Sequence, residues 1–100
     1  MPTASQTYTR TMSITHADFL RSLLPLKKYY HYQINNAANQ ILIKEDQRVI
    51  QIQLGREGQL ELGSLRMPSI EVTFTFRGFT PNEREVFWSR FDLSFRRGGG

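Results

Sequence analysis

A chain of 100 residues with 39% hydrophobic and 22% charged side chains has room for one core, which excludes a substrate domain beside a cofactor domain. No run approaches the roughly 18 apolar residues of a membrane helix, and the absence of cysteine excludes disulfides and thiolate metal ligands. Thirteen basic against nine acidic residues give +4, and ten of the thirteen are arginine, the residue suited to bidentate phosphate contacts, although a GC-rich genome produces the same bias.

Met1 to Gln6 is small, polar and without periodicity, which predicts a disordered leader. It has no basic region followed by an apolar run, so no secretory signal is read and a cytoplasmic location is expected. From Thr7 to Ile14 the pattern alternates, with Tyr8, Met12 and Ile14 on one face of a strand and Arg10 as the misfit among them. Thr15 followed by Asp18 is an N-cap signature. Behind it, Phe19, Leu20, Leu23 and Leu24 fall on one side of a short helix that Pro25 ends.

Tyr30 to Ile34 and Gln40 to Lys44 read as two strands joined by the turn-tolerant stretch Asn35 to Asn39. Val49 to Leu54 continues the meander, Gly55 to Gly58 is a link with glycine at both ends, and Gln59 to Leu62 is a shorter strand. Pro68 is read as closing an irregular link. The clearest alternation follows: Ile70, Val72, Phe74 and Phe76 turn inward, and Glu71, Thr73, Thr75 and Arg77 outward.

Thr80, Pro81 and Glu83 form a capping box with proline at the first helical position, so a helix starts there. Phe87, Trp88, Phe91 and Phe95 make its core stripe. Val86 and Leu93 lie on the opposite side near Arg90 and Arg97, and Asp92 is four residues before Arg96, its expected partner. The chain ends in Arg96, Arg97 and three glycines. A basic last turn followed by a left-handed glycine is a helix cap, with residues 98–100 as a flexible tail and 7–97 as the domain.

Two amphipathic helices need one apolar sheet face. The expected fold is α+β in two layers: a mainly antiparallel sheet of five to six strands with both helices on one face, in the order β-α-β-β-β-β-β-α. A helix after the first and the last strand resembles the half-unit of the TATA-binding-protein type of fold in element order alone. No residue motif of that family is present, so no functional residue is implied. The terminal glycines resemble the tails of ubiquitin-like proteins, but they differ in number and follow a helix.

Catalysis has no signature here. His16 and His31 are separated and lack cysteine or clustered acidic partners, so no metal or other cofactor is expected. None of Ser13, Ser22, Ser64, Ser69, Ser89 or Ser94 sits in a Gly-x-Ser-x-Gly context, and no Walker or dinucleotide motif occurs. The expectation is a non-catalytic binding or assembly module whose partner is a protein or a second copy of the chain, and not a membrane. Its contacts would be Arg77, Arg90, Arg96 and Arg97, with Val86 and Leu93 as the apolar interface. The alternative is a nucleic-acid binder using the polar sheet face of His31, Lys44, Gln51, Gln53, Thr73, Thr75 and Arg77 together with the basic last helix.

Overall fold

The computed structural model describes residues 5–97, the side chain of Arg97 excepted, so residues 1–4 of the expected leader and the three glycines lie outside the described residues. The elements run β1 (Gln6–Met12), α1 (His16–Leu23), a 3-10 turn (Leu24–Lys28), β2 (His31–Asn35), β3 (Gln40–Glu45), β4 (Arg48–Leu54), β5 (Gly58–Leu62), β6 (Leu65–Arg77) and α2 (Pro81–Arg97). All strand pairs are antiparallel; the sheet order is β1-β6-β4-β3-β2, and β5 pairs with β6 outside that path.

The alternation of β6 decides the layering. Ile70, Val72, Phe74 and Phe76 are buried, together with Ile41, Ile43, Ile50, Ile52 and Leu54 on the same face of the neighbouring strands. Both helices cover that face. From α1 come Phe19 and Leu23, and from α2 Phe87, Phe91 and Phe95, all buried. The aromatic rings supply shape as well as area: Phe74 meets Trp88 and Phe91 edge to face with centroids 4.7 and 5.2 Å apart. Phe95 stacks on Phe91 at 4.2 Å and also reaches Phe19 of α1 at 4.8 Å, which joins the two helices. Pairs of this kind contribute about 0.5–1.5 kcal/mol each beyond their buried area. Ser94 is buried as well, and its hydroxyl donates to the Ser22 carbonyl of α1.

The helix starts follow the sequence. Asp18 donates its backbone N–H to the Thr15 hydroxyl at 3.1 Å. In α2 the capping box closes in both directions, Glu83 N–H to the Thr80 hydroxyl at 3.1 Å and Thr80 N–H to the Glu83 carboxylate at 2.8 Å.

Leu24 departs from its predicted place in the core stripe and is 49% exposed. The chain tightens into a 3-10 turn at Pro25, and the smaller number of residues per turn swings Leu26 into the core instead. Arg10, the misfit of β1, also has a physical reason. Its guanidinium lies 4.1 Å above the Trp88 ring and 2.9 Å from the Asp92 carboxylate, so it caps the edge of the aromatic core. Asp92 is therefore bound by Arg10 across the helix–sheet interface, and not by Arg96.

The largest departure is the segment before Ile70. It is not an irregular link closed by Pro68: β6 is 13 residues long, and its first part pairs with β5 through Leu62↔Leu65, Leu60↔Met67 and Gly58↔Ser69. The two strands form a ribbon that extends past the end of β1, whose last pair is Met12↔Ile70. In a two-residue hairpin the pair flanking the turn is hydrogen-bonded. Counting back from Leu65, the backbone of Pro68 faces the ribbon's free edge, where its missing N–H costs no ladder bond.

At the root of this ribbon the backbone N–H of Gly55 donates to the Glu71 carbonyl at 2.8 Å, and a Cβ on Gly55 would stand 2.8 Å from that same oxygen. The root is also tied to α1. His16 donates its backbone N–H to the Glu57 carboxylate at 2.7 Å. Its ring Nε2 lies 2.6 Å from the Gly55 carbonyl, an acceptor only, so that nitrogen carries the proton.

Candidate functional site

Helical geometry places Val86, Arg90 and Leu93 on one outward stripe of α2, with Val86 and Leu93 about 10 Å apart along the axis. The opposite side of the helix is filled by Phe87, Phe91 and Phe95, so the stripe's backbone is held by core packing. Val86 is 43% and Leu93 49% exposed.

Arg90 occupies the middle of the stripe, and two neighbouring aromatics position it. Its guanidinium lies 4.1 Å above the Tyr29 ring and donates to the Tyr30 hydroxyl at 3.4 Å. Tyr30 is in the core and fixes one end of this contact, while Tyr29 is 48% exposed. The pairing comes from the 3-10 turn, which ends at Lys28 and delivers both tyrosines beside α2. The arrangement is a flattened cation–π stack between two exposed aliphatic residues.

Arg90 separates two shallow grooves. One, of about 250 Å³, runs between the start of α2 and the β3–β4 turn, along Tyr30, Asn82 and Val86. Its two acidic groups share one cation: Arg48 reaches Glu45 at 2.6 Å and Glu83 at 2.7 Å. The Thr80 N–H bond, followed by the charge of Arg48, holds the Glu83 carboxyl below its ordinary value. The second groove, between α2 and the 3-10 turn, is lined by Pro25, Leu26, Lys28, Tyr29, Arg90, Leu93 and Ser94, with no acidic side chain among them.

The candidate arginines do not converge. Arg90 belongs to the stripe, and Arg96 lies near the end of α2 in a groove with Met12, Ser13, Ile14 and Phe95. Arg77 is exposed at the end of β6, on the sheet face away from the helices. Strand register brings it into one row with Val49, Lys44 and His31. Two further outward rows are Thr7, Thr75, Gln51, Leu42, Gln33 and Thr9, Thr73, Gln53, Gln40, Asn35, with the pair Thr11 and Glu71 beyond them. This open face is polar and carries no aromatic side chain in these rows. The side chain of Arg97 lies outside the described residues.

A second exposed apolar surface escaped the sequence reading. Pairing of Leu60 with Met67 and Leu62 with Leu65 puts four apolar side chains on one face of the β5–β6 ribbon. The leucines are 42%, 56% and 64% exposed for Leu60, Leu62 and Leu65. The signal was present in the alternation of Gln59 to Leu62, which shows a shared face but not whether anything covers it.

Among the described residues no group of three or more histidine, aspartate or glutamate side chains is placed to hold a metal ion. His16 is engaged at the ribbon root, and His31 is exposed on the open sheet face. No helix of the described residues is long and apolar enough to cross a membrane. No family model, curated protein or solved structure matches this chain, and the similarity to the TATA-binding-protein half-unit remains one of element order.

Proposed function

We propose that the chain is a non-catalytic association module whose protein contact runs along the outward stripe of α2. The observation that supports this most is Arg90 stacked on Tyr29 between Val86 and Leu93. Tyrosine and arginine dominate the energetics of protein interfaces, and here the lost freedom of a long side chain is already spent in the unbound molecule. Apolar residues on a helix whose back is locked into the core offer a surface that needs no rearrangement to bind.

The test is site-specific photo-crosslinking in cells, with the reactive side chain placed at Val86 or Leu93 and, as a control, at Thr75 on the open sheet face. Discrete adducts from the α2 positions and none from Thr75 are expected. Adducts confined to Thr75, or none at any position, overturn the proposal.

The row of Arg77, Lys44 and His31 on the open sheet face favours nucleic acid as the second reading, because neither Arg77 nor Lys44 has an acidic partner among the described residues. It predicts binding of labelled DNA or RNA that weakens steeply between about 50 and 200 mM salt and is lost in Lys44→Glu, Arg77→Glu.

A further inference from the structure

Resting on the association reading, we infer that the partner of the α2 stripe is an acidic segment of a different protein that carries apolar anchor residues, and not a second copy of this chain. The argument is the charge surrounding the apolar groups. The groove between α2 and the 3-10 turn offers Leu93, Pro25 and the Tyr29 ring as apolar surface. Around them stand Lys28 in the groove wall and Arg90, and the next cation along the turn is the exposed Lys27, whose ammonium lies 5.6 Å from the centre of the Tyr32 ring.

None of these cations is in an ion pair among the described residues, whereas Arg10, Arg21, Arg48 and Arg66 are each matched to a carboxylate. On α2, Glu83 is paired with Arg48 and Asp92 with Arg10, while the exposed Glu85 follows the start of the helix, away from this groove's lining. The groove between α2 and the 3-10 turn therefore combines exposed apolar groups with cations that have no carboxylate partner among the described residues.

This arrangement decides between the two classes of protein partner. In a two-fold dimer the same patch meets itself, so a groove whose charged lining is Lys28 and Arg90, with no acidic side chain, would be brought against another of the same charge around a partly desolvated centre. Like charges in that setting are repulsive. An acidic segment reverses the sign of that interaction. Its apolar anchors would cover Leu93 and Tyr29 while its carboxylates reach Arg90, whose planar donors are already oriented by the tyrosine beneath them. The groove is short, so the contact involves few anchors, and electrostatic steering would contribute much of the association rate.

The experiment is selection from a phage-displayed library of random 16-residue peptides against the intact protein. A parallel selection uses the variant Val86→Glu, Leu93→Glu, checked by circular dichroism for retained fold. Peptides enriched only on the native surface are expected to carry net negative charge and at least two apolar residues. Synthesised, they should bind about tenfold more weakly to Lys27→Glu, Lys28→Glu, two exposed positions outside the core, and lose affinity with rising salt.

If the enriched peptides depend on Val86 and Leu93 but are neutral or basic, the acidic-partner inference is overturned while the association surface stands. If enrichment is identical on native protein and variant, both are overturned. Sedimentation equilibrium showing a dimer that the Val86→Glu, Leu93→Glu pair dissolves would replace the acidic partner with a second copy.

Discussion

The outward stripe of α2 and the β5–β6 ribbon both expose apolar side chains, yet they stand in opposite relations to the core. Each exposed residue of the stripe shares its helix with the buried Phe87, Phe91 and Phe95. The ribbon has no buried residue in β5, and the part of β6 that pairs with it has none before Ile70. The stripe's backbone is consequently held by the core behind it, whereas the ribbon is held by its own ladder and by its root. Exposure alone does not separate a prepared binding surface from a projecting hairpin. What lies behind the exposed residue does.

That contrast can be broken most forcefully from below the stripe. Phe91→Ala removes a ring that touches Phe74, Trp88, Phe19 and Phe95, and should lower stability by about 3–5 kcal/mol in urea titrations. A loss under 1 kcal/mol would mean that α2 is not anchored as described.

The next effect tests whether the ribbon's root belongs to the core. Gly55→Ala forces a methyl group against the Glu71 carbonyl, a backbone atom that cannot rotate away, and should cost about 1–3 kcal/mol by the same measurement.

A smaller, pH-dependent effect concerns the start of α2. Glu83 is held below its ordinary value of 4.5, so its carboxylate stabilises the fold above that value, and the contribution is lost as pH falls through the lower folded value. Glu83→Gln should therefore flatten the acid side of a stability-versus-pH curve while leaving its alkaline side parallel to the native one.

The smallest effect should come from the ribbon face itself. Leu62→Ser and Leu65→Ser should each change stability by less than about 0.5 kcal/mol, since both side chains are already in water. Hydrogen exchange gives the kinetic side of the same contrast: β5 amides should exchange through local opening well before those of β4.

Much of this architecture was legible because local rules and tertiary packing agree. The alternation of Ile70 to Arg77, the capping pair Thr15 and Asp18, and the box at Thr80 and Glu83 each specify their own geometry within a few residues. The departures share a different cause: each depends on a partner distant in sequence. Arg10 looked misplaced until Trp88 and Asp92 came beside it. Leu24 fitted the helical period, but the helix had already tightened. Leu60, Leu62, Leu65 and Met67 alternate as a covered strand would, and no local rule reveals that nothing packs on them. Likewise, Val86, Arg90 and Leu93 could be placed on one stripe from spacing, but the contribution of Tyr29 depends on where the 3-10 turn delivers it.

Pro68 gives the ribbon a property unrelated to its folding. A two-stranded hairpin with an apolar face and two free edges is the shape that recruits further strands and grows into fibrils at high protein concentration. On the β6 side an incoming strand would meet a pyrrolidine ring where it requires a backbone donor, so growth along that edge is interrupted. Replacement of that single residue by valine would leave the monomer's own ladder intact and open the edge to polymerisation.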